Sequence, residues 1–199
     1  MKSKLLLLSA LLSLGFQAHA DESQRWHLGL QYSFQDISVA PDRKPEAVGV
    51  VGGYRISEYF TLEARYNVGS SGYSSTYLDG NEGEKYKEEI DTQAMLLIKA
   101  SYPIFDSVSV YALVGVSDTR YEFTVRSYRS DIEGNTTEVV YPYVVSHKEK
   151  DFTYGLGVTY RFSDSVTAFL DHQILPELEI GDSPQQDWSA TNIGVTYSF

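Results

Sequence analysis

The sequence predicts an all-β fold: an eight-stranded antiparallel up-and-down transmembrane β-barrel. Three observations lead there. Period-two alternation of apolar and polar residues recurs eight times after residue 25, the pattern of a strand with one apolar face. The connections between these segments are alternately short and long, as in barrels that cross an outer membrane. The chain also ends in Phe199, with Ile193, Val195 and Tyr197 at the alternate positions before it.

The segments run as follows. Trp26, Leu28, Leu30, Tyr32 and Phe34 alternate with His27, Gly29, Gln31 and Ser33. Val48, Val50, Gly52, Tyr54 and Ile56 make the second apolar face, and Phe60, Leu62, Ala64, Tyr66 and Val68 the third. The fourth is Ile90, Thr92, Ala94, Leu96, Ile98, Ala100 and Tyr102, opposite Asp91, Gln93, Met95, Leu97, Lys99 and Ser101. Val108 to Val116 supplies the fifth, Phe152 to Phe162 the sixth, Val166 to Ile174 the seventh and Ile193 to Phe199 the eighth. Tyr111 and Leu113 in the fifth and Phe169 in the seventh fall on the polar face, and His172 interrupts the apolar face of the seventh. The lengths cluster near the roughly 9–11 residues of a tilted membrane strand.

Segments 57–59, 103–107 and 163–165 are short turns, whereas 35–45, 69–88, 118–150 and 176–187 are longer and polar. An even strand count puts both ends of the barrel on the short-turn side. Glycine, serine and threonine on the polar faces suit a narrow interior. Trp26, Tyr54, Phe60, Tyr102, Tyr160, Phe162 and Phe199 sit at strand ends, where interfacial aromatic girdles belong. The sequence carries 16 tyrosines, whose apolar ring and polar tip suit that level. A soluble barrel of lipocalin type is the competing architecture, but it would bury the apolar face inside.

Residues 1–20 read as a signal peptide that is removed. Lys2 and Lys4 precede the apolar run Leu5–Phe16, and Ala18-His19-Ala20 fits the small-x-small cleavage rule. The run is too short for a membrane-spanning helix, which needs about 20 residues. The barrel domain is then 21–199. Removing Lys2 and Lys4 leaves 14 Lys and Arg against 27 Asp and Glu, a net charge of −13. That balance argues against nucleic-acid binding, which needs a basic surface. There is no cysteine, which excludes disulfides and thiol chemistry.

The stretches VGVVGGYRISEYFTLEARYNVG at 48–69, TYGLGVTYRFSDSVTAFLDHQ at 153–173 and NIGVTYSF at 192–199 carry a family resemblance. Over the whole mature length the chain resembles the small outer-membrane barrels that include the transmembrane domain of outer-membrane protein A, outer-membrane protein X and opacity-type adhesins. The resemblance implies a bacterial outer-membrane location and contact with lipid and lipopolysaccharide. It also implies that the barrel-assembly machinery reads the terminal strand through Ile193, Val195, Tyr197 and Phe199.

Alternation places Glu63, Arg65, Lys99 and Asp171 on the inner face, above the short turns. Eight strands leave room for side chains only, and buried charges must pair. Glu63 and Lys99 lie on neighbouring strands and can do so. The resemblance to outer-membrane protein A suggests an ion-pair cluster that plugs the lumen; a small-solute channel is the alternative. A lipid-A-modifying enzyme is the third reading. It needs a nucleophile, a histidine base and an orienting acid, and neither His147 nor His172 has such a set nearby in sequence. No enzyme activity, cofactor or metal is expected. Asp79-Gly80-Asn81-Glu82-Gly83-Glu84 lacks the glycine and the final glutamate of a calcium loop.

The segment 118–150 is the expected functional surface, with a host or surface protein as ligand. Residues 120–129 and 137–146 are both β-prone, and Glu133-Gly134-Asn135 can turn the chain. The pair forms either a hairpin protruding above the membrane, open to strand addition, or one folded over the barrel mouth. Segments 69–89 and 176–187 sum to −3 and −4, an acidic rim suited to cationic partners.

Overall fold

A computed structural model describes residues 25–38, 43–79, 82–130, 136–138, 143–178 and 186–199. The segment 1–20, with Ala18 and Ala20, lies outside the described residues, as does Glu133-Gly134-Asn135. The strands are β1 (Trp26–Ile37), β2 (Glu46–Arg55), β3 (Phe60–Ser71), β4 (Tyr73–Asp79), β5 (Glu82–Phe105), β6 (Val108–Ser130), β7 (Thr136–Glu138), β8 (Tyr143–Arg161), β9 (Val166–Leu178) and β10 (Gln186–Ser198).

Eight of them close a ring. The sheet runs β5-β3-β2-β1-β10-β9-β8-β6, and pairing of β5 with β6 joins its ends. Closure removes the free strand edges that an open sheet would leave unpaired in lipid. The Phe199 amide donates to the Trp26 carbonyl at 2.9 Å, so both ends of the ring lie together on the short-turn side. β4 and β7 stand outside the ring.

Side chains alternate as an inverted protein. Leu30, Leu156 and Phe152 point outward and are 62%, 70% and 72% exposed, whereas Asn67, Gln93, Thr153, Gln173 and Asn192 are fully buried inside. Outward apolar faces stop at Tyr102, Tyr54 and Tyr160 on one side, near Trp26, which packs on Tyr54 at 4.8 Å. Tyr111, Leu113 and Phe169, which break the polar pattern in the sequence, are lumen residues. Glycine makes room for the two rings. Gly157 faces Tyr111 across one strand pair and Gly194 faces Phe169 across another. A Cβ at either glycine would lie 2.4 Å from the facing ring carbon.

One expected orientation is corrected. Alternation puts Ile90 on the apolar outer face of the fourth segment, but it is 2% exposed and belongs to the interior. A register shift between Ile90 and Thr92 in the β5–β6 ladder is the cause. One extra residue reverses the face of everything beyond it. The strands are also longer than their apolar alternation suggests. β5 has 24 residues and β6 has 23, or roughly 75–80 Å at about 3.3 Å per residue. Much of the 69–88 and 118–150 connections is therefore strand.

Candidate functional site

The lumen is stacked in layers. At the level nearest the short turns, Arg65 on β3 is the hub. Its Nε donates to Glu63 Oε1 at 2.7 Å, while Nη1 and Nη2 reach Asp171 on β9 at 3.2 and 2.8 Å. Lys99 Nζ and His27 Nε2 each lie 3.6 Å from Glu63 Oε2. Asp171 also accepts from Tyr111 at 2.8 Å, Asn192 at 2.7 Å and Gln173 at 3.1 Å. The four charged residues singled out by inward parity stand in one cluster. His27 and Tyr111 join it as well; their inward parity is equally visible in the sequence, but neither carries a fixed charge that demands a partner.

Above this lies a neutral layer. Gln31 donates to Asn67 at 2.6 Å, and Asn67 and Gln35 both donate to Gln93 Oε1 at 3.0 Å. Gln93 in turn donates to Thr119 at 3.0 Å. Amides serve here because each offers both a donor and an acceptor without charge.

A second ion pair closes the top. Arg43 Nε, from the β1–β2 connection, donates to Glu88 Oε2 at 2.8 Å, and Tyr121 OH reaches the same oxygen at 3.1 Å. Arg43 also lies over the Tyr73 ring at 3.7 Å. Burial opposes the Arg43 charge, but the Glu88 carboxylate outweighs it and holds the guanidinium above its ordinary value. Burial first, and then Glu88, push the phenols of Tyr86 and Tyr121 well above theirs. Glu88 falls in a polar connection of the sequence, and nothing in the local pattern marks this cluster.

Around that pair sits an apolar cap. Ile37, Ile90, Tyr121, Phe123, Leu175, Leu178 and Trp188 are buried together. Tyr121 meets Phe123 at 5.1 Å and Trp188 at 6.0 Å, both edge-on. The lower part of the extended β5–β6–β8 sheet thus covers the barrel mouth, and its upper part protrudes. The described part of segment 118–150 holds both buried residues, Tyr121 and Phe123, and an exposed strand at Tyr143 and Val144.

The protruding sheet runs β4-β5-β6-β8, with β7 on β6 at the tip. β9 pairs with β8 only from Tyr154 to Arg161. The stretch Tyr143–Phe152 therefore has no strand partner on its second edge among the described residues. Charges at Lys148, Glu149, Lys150 and Asp151 guard its lower half, the usual defence of an open edge. Tyr143-Val144-Val145-Ser146 carries none, and Tyr143 is 69% exposed.

The histidines are spread out. His27 belongs to the ion cluster, His147 stands edge-on to Phe123 at 5.3 Å, and His172 faces outward and bonds Thr191 at 3.0 Å. Among the described residues no three His, Asp or Glu side chains form a metal-binding group.

Comparison with known proteins agrees with this architecture. Residues 6–199 match the family model described as outer membrane protein beta-barrel domain. No curated protein matches the chain in sequence. Among solved structures, Ail, the attachment invasion locus protein of Yersinia pestis, is similar at 11% identity and a TM-score of 0.53, covering 89% of this chain and 100% of its own. Neisserial surface protein A is similar at 12% identity and 0.54, covering 87% and 97%. A major outer membrane protein from Thermus thermophilus is similar at 12% identity and 0.52, covering 87% and 99%. At these identities the likeness is one of fold. The chain belongs to the outer membrane protein β-barrel domain family, and its place is the bacterial outer membrane.

Proposed function

We propose that this member of the outer-membrane barrel family is a surface-exposed interaction protein of the adhesion or colonisation type. The observation that carries the reading is the continuation of β5, β6 and β8 past the apolar belt into a sheet with an unguarded edge at Tyr143–Ser146. Such an edge recruits an extended segment of another protein by main-chain hydrogen bonding. A neighbour of the same fold, Ail, has been captured with a heparin analogue, which supports a ligand-binding surface on this kind of scaffold. The partner on this chain is a host or surface protein engaging residues 118–150.

The test is a shortened sheet. Phe123 and Val145 are directly paired, so replacing residues 124–144 by Asn-Gly removes Tyr143 and Val144 from the open edge and leaves Tyr121, Phe123 and Val145 to cap the mouth. Bacteria carrying the shortened protein should lose adhesion to host cells and matrix while the barrel still folds. Undiminished adhesion sinks the reading.

In this proposal the lumen is plugged and the protein is neither a channel nor an enzyme. The Glu63–Arg65–Asp171 cluster and the amide layer support the plug. Large, steady openings in planar-bilayer recordings would overturn it. Contact with lipid and lipopolysaccharide, and recognition of Ile193, Val195, Tyr197 and Phe199 by the barrel-assembly machinery, are part of the same proposal. Deleting Phe199 should reduce the heat-dependent gel shift of assembled protein in membranes. The mature chain should begin at Asp21, after Ala18-His19-Ala20, by N-terminal sequencing.

A further inference from the structure

The outward face of the protruding sheet carries an arrangement that electrostatics alone disfavours. Lys85 on β5 stands directly opposite Arg126 on β6. Like charges in that position repel and weaken a strand pair. Neither has an ion pair among the described residues. Lys87, next along the same face, is balanced by Glu89 at 2.6 Å. The three cations frame a cleft of about 280 Å³, completed by Glu89, Thr124 and Tyr128.

The rest of the rim is different. Outward-facing Asp36, Glu46, Glu177 and Asp187 are acidic, and two lower cations of this sheet, Arg120 and Lys148, are paired. Arg120 lies 3.6 Å from Asp91, and Lys148 lies 3.0 Å from Asp118. Above Glu89 and Glu122, which stand opposite each other on this face, Lys85 and Arg126 are cations without an ion pair among the described residues, in a chain of acidic net charge. Hydroxyls flank the cleft. Thr76 on β4 is opposite Lys85 and Ser74 is opposite Lys87, while Thr124 and Tyr128 line the other side. The cleft lies eight residues along β6 above Asp118, or about 25 Å at roughly 3.3 Å per residue. Asp118 is the first charged residue past the outward apolar positions Val110 to Val116 of β6, so the cleft stands beyond the apolar belt.

We propose that the cleft framed by Lys85, Lys87 and Arg126 binds an anionic saccharide bearing sulfate or phosphate ester groups. Unbalanced cations at fixed cross-strand spacing supply charge-assisted hydrogen bonds to the ester oxygens. The hydroxyl rows match sugar hydroxyls, and the absence of large apolar lining residues other than the Tyr128 ring disfavours a hydrophobic ligand. An ester group between Lys85 and Arg126 turns their repulsion into attraction. The site uses the face of the sheet and not its edge, so it stands or falls separately from strand addition.

The experiment is titration calorimetry on the mature protein, folded in detergent micelles. Two probes distinguish the source: a heparin-derived hexasaccharide, and a phosphorylated lipopolysaccharide core oligosaccharide stripped of its acyl chains. A desulfated hexasaccharide is the control. At least one anionic probe should bind and the control should not, and the tighter probe names the source. Lys85→Gln with Arg126→Gln should raise Kd by about tenfold or more, a loss typical of two charge-assisted contacts. Lys148→Gln with Lys150→Gln, which removes the same charge lower on the sheet, should change it less than about threefold. Lys85→Glu creates an opposite-charge pair with Arg126, so it should keep the sheet folded and still abolish binding. Binding by neither probe overturns the proposal. So does an equal loss in the two double variants, which would mean diffuse attraction to the whole face.

Discussion

Strand β6 passes through two surroundings, and its side chains change places between them. In the membrane band Val114 points outward at 52% exposed while Ser117 is fully buried. A few residues on, Tyr121 is fully buried and Arg126 is outside. Below, the apolar surroundings hold the outer face and the polar groups must satisfy one another inside. Above, water holds the outer face and the apolar groups gather inside as the mouth cap. The same backbone ladder serves both halves because its hydrogen bonds are made within the sheet. The difference teaches that burial follows the local surroundings and not the residue's hydrophobicity alone. It also teaches that the two halves fail differently: the barrel through unpaired charge, the extension through lost packing.

The largest expected effect is at the barrel hub. Arg65→Ala leaves Glu63 and Asp171 buried without their shared cation and should cost about 3–5 kcal/mol, read by urea unfolding in micelles. Adding Glu63→Gln and Asp171→Asn should recover much of that loss. If the single variant costs under about 1 kcal/mol, the hub is not what holds the lumen. Above the membrane, Trp188→Ala should cost about 3 kcal/mol locally. Protease should then cut the extension while the heat-dependent mobility of the barrel persists. Simultaneous loss of both would erase the distinction between the halves.

Smaller effects sharpen it. Gly194→Val forces a side chain against Phe169 and the Leu30 carbonyl and should cost about 1–3 kcal/mol. Phe169→Ala in the same chain should relieve part of this, and strict additivity would mean the ring does not occupy that space. The extension should also respond to alkali. Tyr86 and Tyr121 keep their protons in the folded extension beyond the ordinary phenol value of 10.0. Their contribution is complete below pH 10.0 and is lost as the pH rises further through the raised folded values, because the unfolded chain gives up protons that the folded one holds. Proteolysis of the extension should therefore rise above pH 10.0, and less steeply in Tyr121→Phe. The smallest effect is Lys85→Glu, which should stabilise the β5–β6 extension by about 0.2–1 kcal/mol, seen as slower amide exchange there.

Much of the barrel is legible in the chain, because a period of two is a local property of the backbone. The runs at 60–68, 152–162 and 193–199 read directly as outer faces. Glu63, Arg65, Lys99 and Asp171 are found by the same parity, since a charge that faces inward must meet another. Tyr111 and Phe169 look like faults in the sequence because their compensation, Gly157 and Gly194, lies on neighbouring strands. Ile90 is misplaced by alternation because a register shift leaves no mark on composition.

By itself the sequence determined which residues alternate, how many strands close the ring, and that charges face inward at the level of Arg65. These follow from local backbone geometry and the cost of burying polar groups. Only the tertiary structure decided what the long connections do. Segment 69–89 sums to −3, which suggests an acidic rim. Folded, it turns Lys85 and Lys87 to the outer face and Glu88 into the mouth beside Arg43. Charge along a chain is additive, but charge on a face depends on strand register, and register is set by partners far away in sequence.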